Sequence, residues 1–363
     1  MPRLYVATLG KGLLRSDDLG ARWTGEPGLP ASARLYSLCA APGELLVGGD
    51  GRVYRYSERA WSELALPAPD AQVWALAAMD GVILAGTRPL GLFRSDDGGR
   101  RWEPMTFDLP EVGEPQPEAR RADTGVPRAE RGEPQPEARR ADMGVPRAER
   151  GEPQPAVRGA AEGEPSDAEW EARSAPRRLT ALLPNPWVPG EVWAGVEAGG
   201  VFASVDGGGT WSAANEQLPS LDIHGLAWSS GGMLLAATPC GVASWRSARW
   251  MEGVFHSADR YCRALAPRPD DPSTLYCGFG DGLPGTRGGI AVSADGGRSW
   301  RPSGGVPGGD STIWSVATAP DAAGLVLACS ISGTVLVSLD ACASAMPVLA
   351  AGCETPAVAC LSE

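Results

Sequence analysis

Short apolar runs, separated by turns rich in Gly, Asp and Ser, recur along this chain almost from end to end. One kind of run reads X-small-apolar-small. It occurs as Tyr36-Ser37-Leu38-Cys39, Trp74-Ala75-Leu76-Ala77, Thr180-Ala181-Leu182-Leu183, His224-Gly225-Leu226-Ala227, Arg263-Ala264-Leu265-Ala266 and Trp314-Ser315-Val316-Ala317. A second, more apolar run follows each, as in Leu45-Leu46-Val47-Gly48 and Leu275-Tyr276-Cys277-Gly278. A third leads into a polar turn, as in Gly91-Leu92-Phe93-Arg94 and Gly200-Val201-Phe202-Ala203. Runs of this length bounded by turn residues predict strands, and their repetition predicts a chain built from one strand set used many times. Small residues in the first run suit a crowded innermost strand.

The polar turns carry a repeat of their own, Ser-x-Asp-x-Gly-x-x-Trp. Its four copies are Ser16, Asp18, Gly20, Trp23; Ser95, Asp97, Gly99, Trp102; Ser204, Asp206, Gly208, Trp211; and Ser293, Asp295, Gly297, Trp300. Ser and Asp side chains can hydrogen-bond the backbone of a tight turn, Gly can take positive φ, and Trp can pack back over it. The copies are 79, 109 and 89 residues apart. A propeller blade runs to roughly 40–45 residues, so each interval holds two blades. Weakened copies are expected at Ser57 to Trp61, Ser244 to Trp250 and Ser338 to Asp340. Six complete blades can be counted. Leu4-Tyr5-Val6-Ala7 is a second-strand run with no first strand before it, and Pro356-Ala357-Val358-Ala359 supplies the missing pattern. The prediction is a single all-β, seven-bladed propeller closed by pairing of its N- and C-terminal strands, with no free radial edge.

One stretch lies outside this pattern. Gly113 to Arg131 is repeated almost unchanged from Gly132 to Arg150, with four acidic and four basic residues per copy. Such a composition cannot bury enough apolar surface to fold. Residues 1–111 and 177–363 are therefore assigned to the propeller and 112–176 to a disordered insertion.

The octapeptide in a blade-sized repeat resembles the Asp-box (BNR) repeat of sialidases, the sortilin luminal domain, oligoxyloglucan hydrolases and photosystem II assembly factors. The resemblance spans all but the insertion. It implies a propeller whose box residues are structural and lie opposite the ligand face. It does not imply one activity, because the same fold hosts many. Sialidases of this kind usually carry Arg-Ile-Pro near the N-terminus; none occurs here.

Composition narrows the picture. The 363 residues include 48 Gly and 33 Pro and carry a net charge of -12. That charge disfavours nucleic-acid and anionic-membrane partners. No run reaches transmembrane length, and no signal peptide precedes the first strand. Eight cysteines without a Cys-x-x-Cys pair read as buried thiols in a cytoplasmic, monomeric protein, with Cys342 and Cys353 the candidates for pairing. No metal or cofactor motif is present.

Candidate chemistry sits at the face where first strands begin. The residues opening them are Tyr36, Trp74, Thr180, His224, Arg263, Trp314 and Pro356. Tyr36, Trp74, His224, Arg263 and Trp314 make a plausible binding surface, with Arg88 and Arg287 added from nearby loops. Lys11, Asp50, Glu197 and Asp281 lie in the same set of loops. Glu197 and Asp281 are the candidate carboxylate pair for glycoside hydrolysis, and His224 a candidate acid/base. The expected function is non-catalytic binding of a protein or glycan through this face, with a glycoside hydrolase as the alternative. Deleting residues 112–176 is expected to leave the melting temperature nearly unchanged; a fall of many degrees would show that the segment packs on the propeller.

Overall fold

The structure is a computed structural model. It describes residues 1–41, 43–108, 177–229, 231–271, 273–306 and 309–362. The insertion assigned to 112–176 lies outside the described residues. Among those described, the chain forms seven sheets, antiparallel but for one added strand, and no helix. The inner strands, in chain order, are Leu35–Ala41, Gln72–Met79, Leu179–Pro184, Gly225–Trp228, Tyr261–Pro267, Ile313–Thr318 and Ala357–Leu361. Each touches the next, and the last touches the first, so they close a ring. The fold is the predicted seven-bladed propeller.

The first blade is assembled from both ends of the chain. Ala357–Leu361 pairs with Arg3–Ala7, which pairs with Leu13–Ser16 and then Thr24–Gly25. Five residues on each side enter the closing ladder, from Arg3 opposite Leu361 to Ala7 opposite Ala357. The sixth blade gains a fifth strand, Val254–Phe255, which runs parallel to its outer strand Ser299–Pro302.

The inner strands share an irregularity that the sequence pattern does not announce. In five blades the ladder skips one residue near the start of the strand: Tyr36, Trp74, Thr180, Arg263 and Trp314. Each is a β-bulge, which leaves one residue unpaired and turns its side chain. His224 and Pro356 immediately precede the inner strands of the other two blades. The X of X-small-apolar-small is thus the bulged or strand-opening residue.

Backbone carbonyls at the openings of the inner strands are taken up by the neighbouring blade. Ser37 Oγ donates to Val73 O at 2.8 Å, Thr180 Oγ1 to Ile223 O at 2.7 Å, and His224 Nδ1 to Cys262 O at 2.6 Å. The second strand contributes a glycine at the same level in four blades. A Cβ on Gly86 would stand 2.5 Å from Leu179 of the next blade, and one on Gly278 would stand 2.8 Å from Ile313. These glycines permit a contact between blades that any side chain would block.

The four octapeptide turns share one hydrogen-bond scheme. Ser16, Ser95, Ser204 and Ser293 each accept the N–H of the Gly four residues on, at 2.8 or 2.9 Å. The same hydroxyls donate to Asp18, Asp97, Asp206 and Asp295. Those four glycines have φ between +87° and +93°, where a Cβ is strained. Donors from the Thr210 backbone, the Ser204 hydroxyl and the Thr210 hydroxyl hold the Asp206 carboxyl down to about 2.

Four details differ from expectation. The turns at Ser95 and Ser204 belong to consecutive blades, so the 109-residue interval between them holds one blade rather than two. Ser57 to Trp61 and Ser244 to Trp250 are not weakened copies of this turn. They are two-residue hairpins with positive φ at Glu58, Arg59, Ser247 and Ala248, the geometry that matches strand twist. Ser338 does keep the scheme, with Cys342 at φ +68° in the glycine place. The tryptophans work between blades: the fully buried Trp250 donates to Ala214 O of the preceding blade at 2.6 Å. Of the four turn tryptophans only Trp300 is fully buried; Trp23, Trp102 and Trp211 are half-buried. All eight cysteines, Cys342 and Cys353 included, are free thiols.

Truncation before Thr355 is expected to abolish most of the stability, because it removes an inner strand and exposes Arg3–Ala7 as an open edge. Thermal melting and light scattering measure this. A soluble truncated chain that melts with the full-length protein would sink the ring-closure account.

Candidate functional site

Antiparallel order fixes the two faces. Inner strands start at what is here called the top, second strands return to it, and third strands leave it again. The octapeptide turns join third to fourth strands and so lie at the bottom. All seven strand-opening residues converge at the top on one cavity of about 250 Å³ around the central axis. For five of the seven, bulging explains the convergence: the extra residue aims its side chain at the axis.

Two arginine–tryptophan stacks dominate the cavity. The Arg263 guanidinium carbon lies 3.7 Å from the Trp314 ring centroid, and that of Arg178 lies 4.4 Å from the Trp74 centroid. Tyr36 packs against Trp74 at 5.1 Å and donates from Oη to Asp50 Oδ1 at 2.7 Å. Burial, helped by Asp50, pushes the Tyr36 phenol up. Glu197 sits between the two guanidiniums. Arg178 Nη2 meets Glu197 Oε1 at 2.7 Å, and Arg263 Nη1 approaches the same oxygen at 3.8 Å. Burial, and then the like charge of Arg178, lowers the Arg263 guanidinium to about 10.

His224 completes this wall. Its side chain is fully buried, 4.7 Å from the Tyr261 ring. Nδ1 faces the Cys262 carbonyl at 2.6 Å and Nε2 faces Asp222 Oδ2 at 3.2 Å. A neutral imidazole has one N–H for these two acceptors; only the imidazolium donates to both. Against that pull, burial and the Arg263 charge hold the imidazole below its ordinary range.

The structure brings together Tyr36, Trp74, His224, Arg263 and Trp314 and leaves other candidates apart. Among the cavity-lining residues, Arg88 and Arg287 are absent. Arg287 is well exposed and pairs with Asp259 at 3.1 Å. Asp281 is occupied within its own loop, accepting Thr286 N and Oγ1 at 2.8 Å and Arg287 N at 3.0 Å. Those donors, the Thr286 hydroxyl foremost, hold it down to about 2. The carboxylate beside Glu197 is instead Asp222: Glu197, Asp222 and His224 each offer an atom within 4.8 Å of the others. With Arg178 and Arg263 already at Glu197, a metal cation there would meet two positive charges, so the set is poorly matched to a metal.

Arg178 and Asp222 are site residues that the sequence reading passed over. Both stand two positions before a strand-opening residue, where strand alternation returns a side chain to the same face. The relation recurs: Trp74 Nε1 donates to Gln72 Oε1 at 3.1 Å, and Arg263 Nη1 reaches Tyr261 Oη at 3.5 Å.

No protein-family model and no curated protein matches this chain. Solved structures do match in fold. The GH74 enzyme of Niastella koreensis aligns at TM-score 0.60 and 14% identity, covering 98% of this chain and 51% of its own. The chain thus spans about half that enzyme. YCF48 from Cyanidioschyzon merolae aligns at 0.52 and 14%, covering 88% and 86%, and a chain of the mitotic checkpoint complex at 0.52 and 13%, covering 89% and 87%. At such identities the likeness is one of fold. Propellers of this shape therefore include an enzyme and proteins of other kinds.

The His224 geometry gives a pH prediction. Its folded value lies below the ordinary imidazole value near 6.5, so the unfolded chain binds more proton in the window just below 6.5. The stability it contributes is present above that value and lost as pH falls through it. Between about pH 7 and 5 the melting temperature of the native protein should therefore fall more steeply than that of His224→Gln. Equal slopes would show that this imidazole makes no such contribution.

Proposed function

We propose that this chain is a non-catalytic Asp-box propeller that binds a ligand, or a segment of a partner protein, at the top of its central channel. The observation that carries the reading is the pair of arginine–tryptophan stacks at the mouth. Two aromatic walls and two fixed cations form a recognition surface, of the kind that contributes most to binding where it is desolvated.

The electrostatics support binding over catalysis. A glycosidase acid needs a carboxyl raised above its ordinary range. Among the described residues, every aspartate with a displaced pKa is displaced downward, Asp222 included. For Asp222, burial acts upward, but His224, Arg263 and Arg178 outweigh it. Glu197 is engaged by a guanidinium at 2.7 Å. A hydrolase reading rests on the fold likeness to the GH74 enzyme and on the closeness of Glu197 and Asp222. We propose the cytoplasm as its place of action, where eight thiols would stay reduced.

Two exposed leucines allow a test. Leu283, 56% exposed, lies in a top loop, and Leu339, 57% exposed, lies in a bottom turn. A photoreactive residue at Leu283 should capture the partner from a native-host lysate, and Trp74→Ala should abolish the capture. The same group at Leu339 should capture nothing. Capture from Leu339 alone, or glycoside hydrolysis abolished by Glu197→Gln, would overturn the reading.

A further inference from the structure

The two arginines of the channel mouth have more donors than acceptors. Arg263 is buried to 3% exposure, yet among the described residues its one hydrogen bond is the long 3.5 Å contact to Tyr261. Its Nε is buried with no partner, and its distance to Glu197 is beyond hydrogen-bond reach. Arg178, at 7% exposure, spends Nη2 on Glu197, while its Nε is buried without a partner. A guanidinium offers five N–H groups, and buried donors left unpaired are rare and costly. Both side chains line the cavity.

We propose that this cavity is a receptor for a single carboxylate, held by the guanidinium edges of Arg263 and Arg178. The proposal rests on the binding reading above and names its ligand class. The tryptophan rings cover guanidinium faces, and on the edges the Nε–H of each arginine is without a partner. A stacked guanidinium is planar and fixed, which suits a planar carboxylate. Charge limits the ligand. With the His224 imidazole neutral, Arg178 and Arg263 already offset Glu197 and Asp222, so a monoanion meets less repulsion than a dianion such as phosphate. The cavity of about 250 Å³ admits a small organic acid or the carboxyl end of an extended chain.

Calorimetric titration of the full chain tests this with four probes: acetate, N-acetyl-Ala-Ala with a free carboxylate, the same dipeptide as its amide, and inorganic phosphate. At least one free acid should bind saturably below about ten millimolar, with the amide at least about tenfold weaker than its acid. Arg263→Gln and Arg178→Gln should each weaken the acid at least about tenfold. Acetate binding as tightly as the dipeptide assigns the site to small acids; a tighter dipeptide assigns it to a chain end. Equal binding of acid and amide, tighter binding of phosphate, or no saturable binding of either acid overturns the proposal. If Arg263→Gln fails to fold, Arg178→Gln and the acid–amide comparison on the native protein decide. Capture from Leu283 that survives Arg263→Gln, with no acid binding, would leave the binding reading standing without a carboxylate. Acid binding without capture would do the reverse.

Discussion

At the opening of five inner strands one residue is squeezed out of the ladder, and much of the molecule follows from how that irregularity is accommodated. A bulge beside the axis would leave backbone carbonyls stranded in a crowded interior. The preceding blade supplies a hydroxyl to Val73 O and Ile223 O and an imidazole to Cys262 O. At the ring closure, Cys329 Sγ makes the equivalent contact with Thr355 O at 3.0 Å. Blades are thus joined by polar bonds at their inner rims as well as by the apolar packing between their faces. The same bulges aim five side chains at the point where His224 and Pro356 also arrive. Fold stability and site geometry share a cause.

Electrostatics at that point are set by scarcity. Two guanidiniums, one imidazole and two carboxylates are crowded together at the channel mouth, and each is placed against a group that offsets part of its desolvation. Tryptophan faces serve the arginines where acceptors are lacking. The unpartnered donors of the two arginines suit an incoming acceptor better than a cation, although Glu197, Asp222 and His224 alone would have looked like metal ligands.

The ring was legible because repetition fixes register. One X-small-apolar-small run could slip by a residue; six runs and a seventh at the far terminus cannot all slip together. This is why Tyr36, Trp74, His224, Arg263 and Trp314 could be named before their convergence was visible. The bulges were not legible, since they cost no residue in the pattern and have no composition of their own. Arg178 and Asp222 were missed for the same reason: their importance comes from sharing a face with the residue two places on, at a level where the ladder breaks. Asp281 misled because a loop carboxylate that staples its own turn looks, in sequence, like one that is free. Ser57 to Trp61 and Ser244 to Trp250 misled because Ser and Trp serve a tight hairpin as well as an octapeptide turn.

The closing sheet gives the molecule a polarity. Arg3–Ala7 runs toward the top and Ala357–Leu361 runs away from it, so both ends of the polypeptide leave from the underside, next to each other. Whatever is fused or tethered at either end hangs from the side opposite the channel mouth. A surface, bead or carrier coupled there would present the two arginine–tryptophan stacks outward, as a cup is held by its foot.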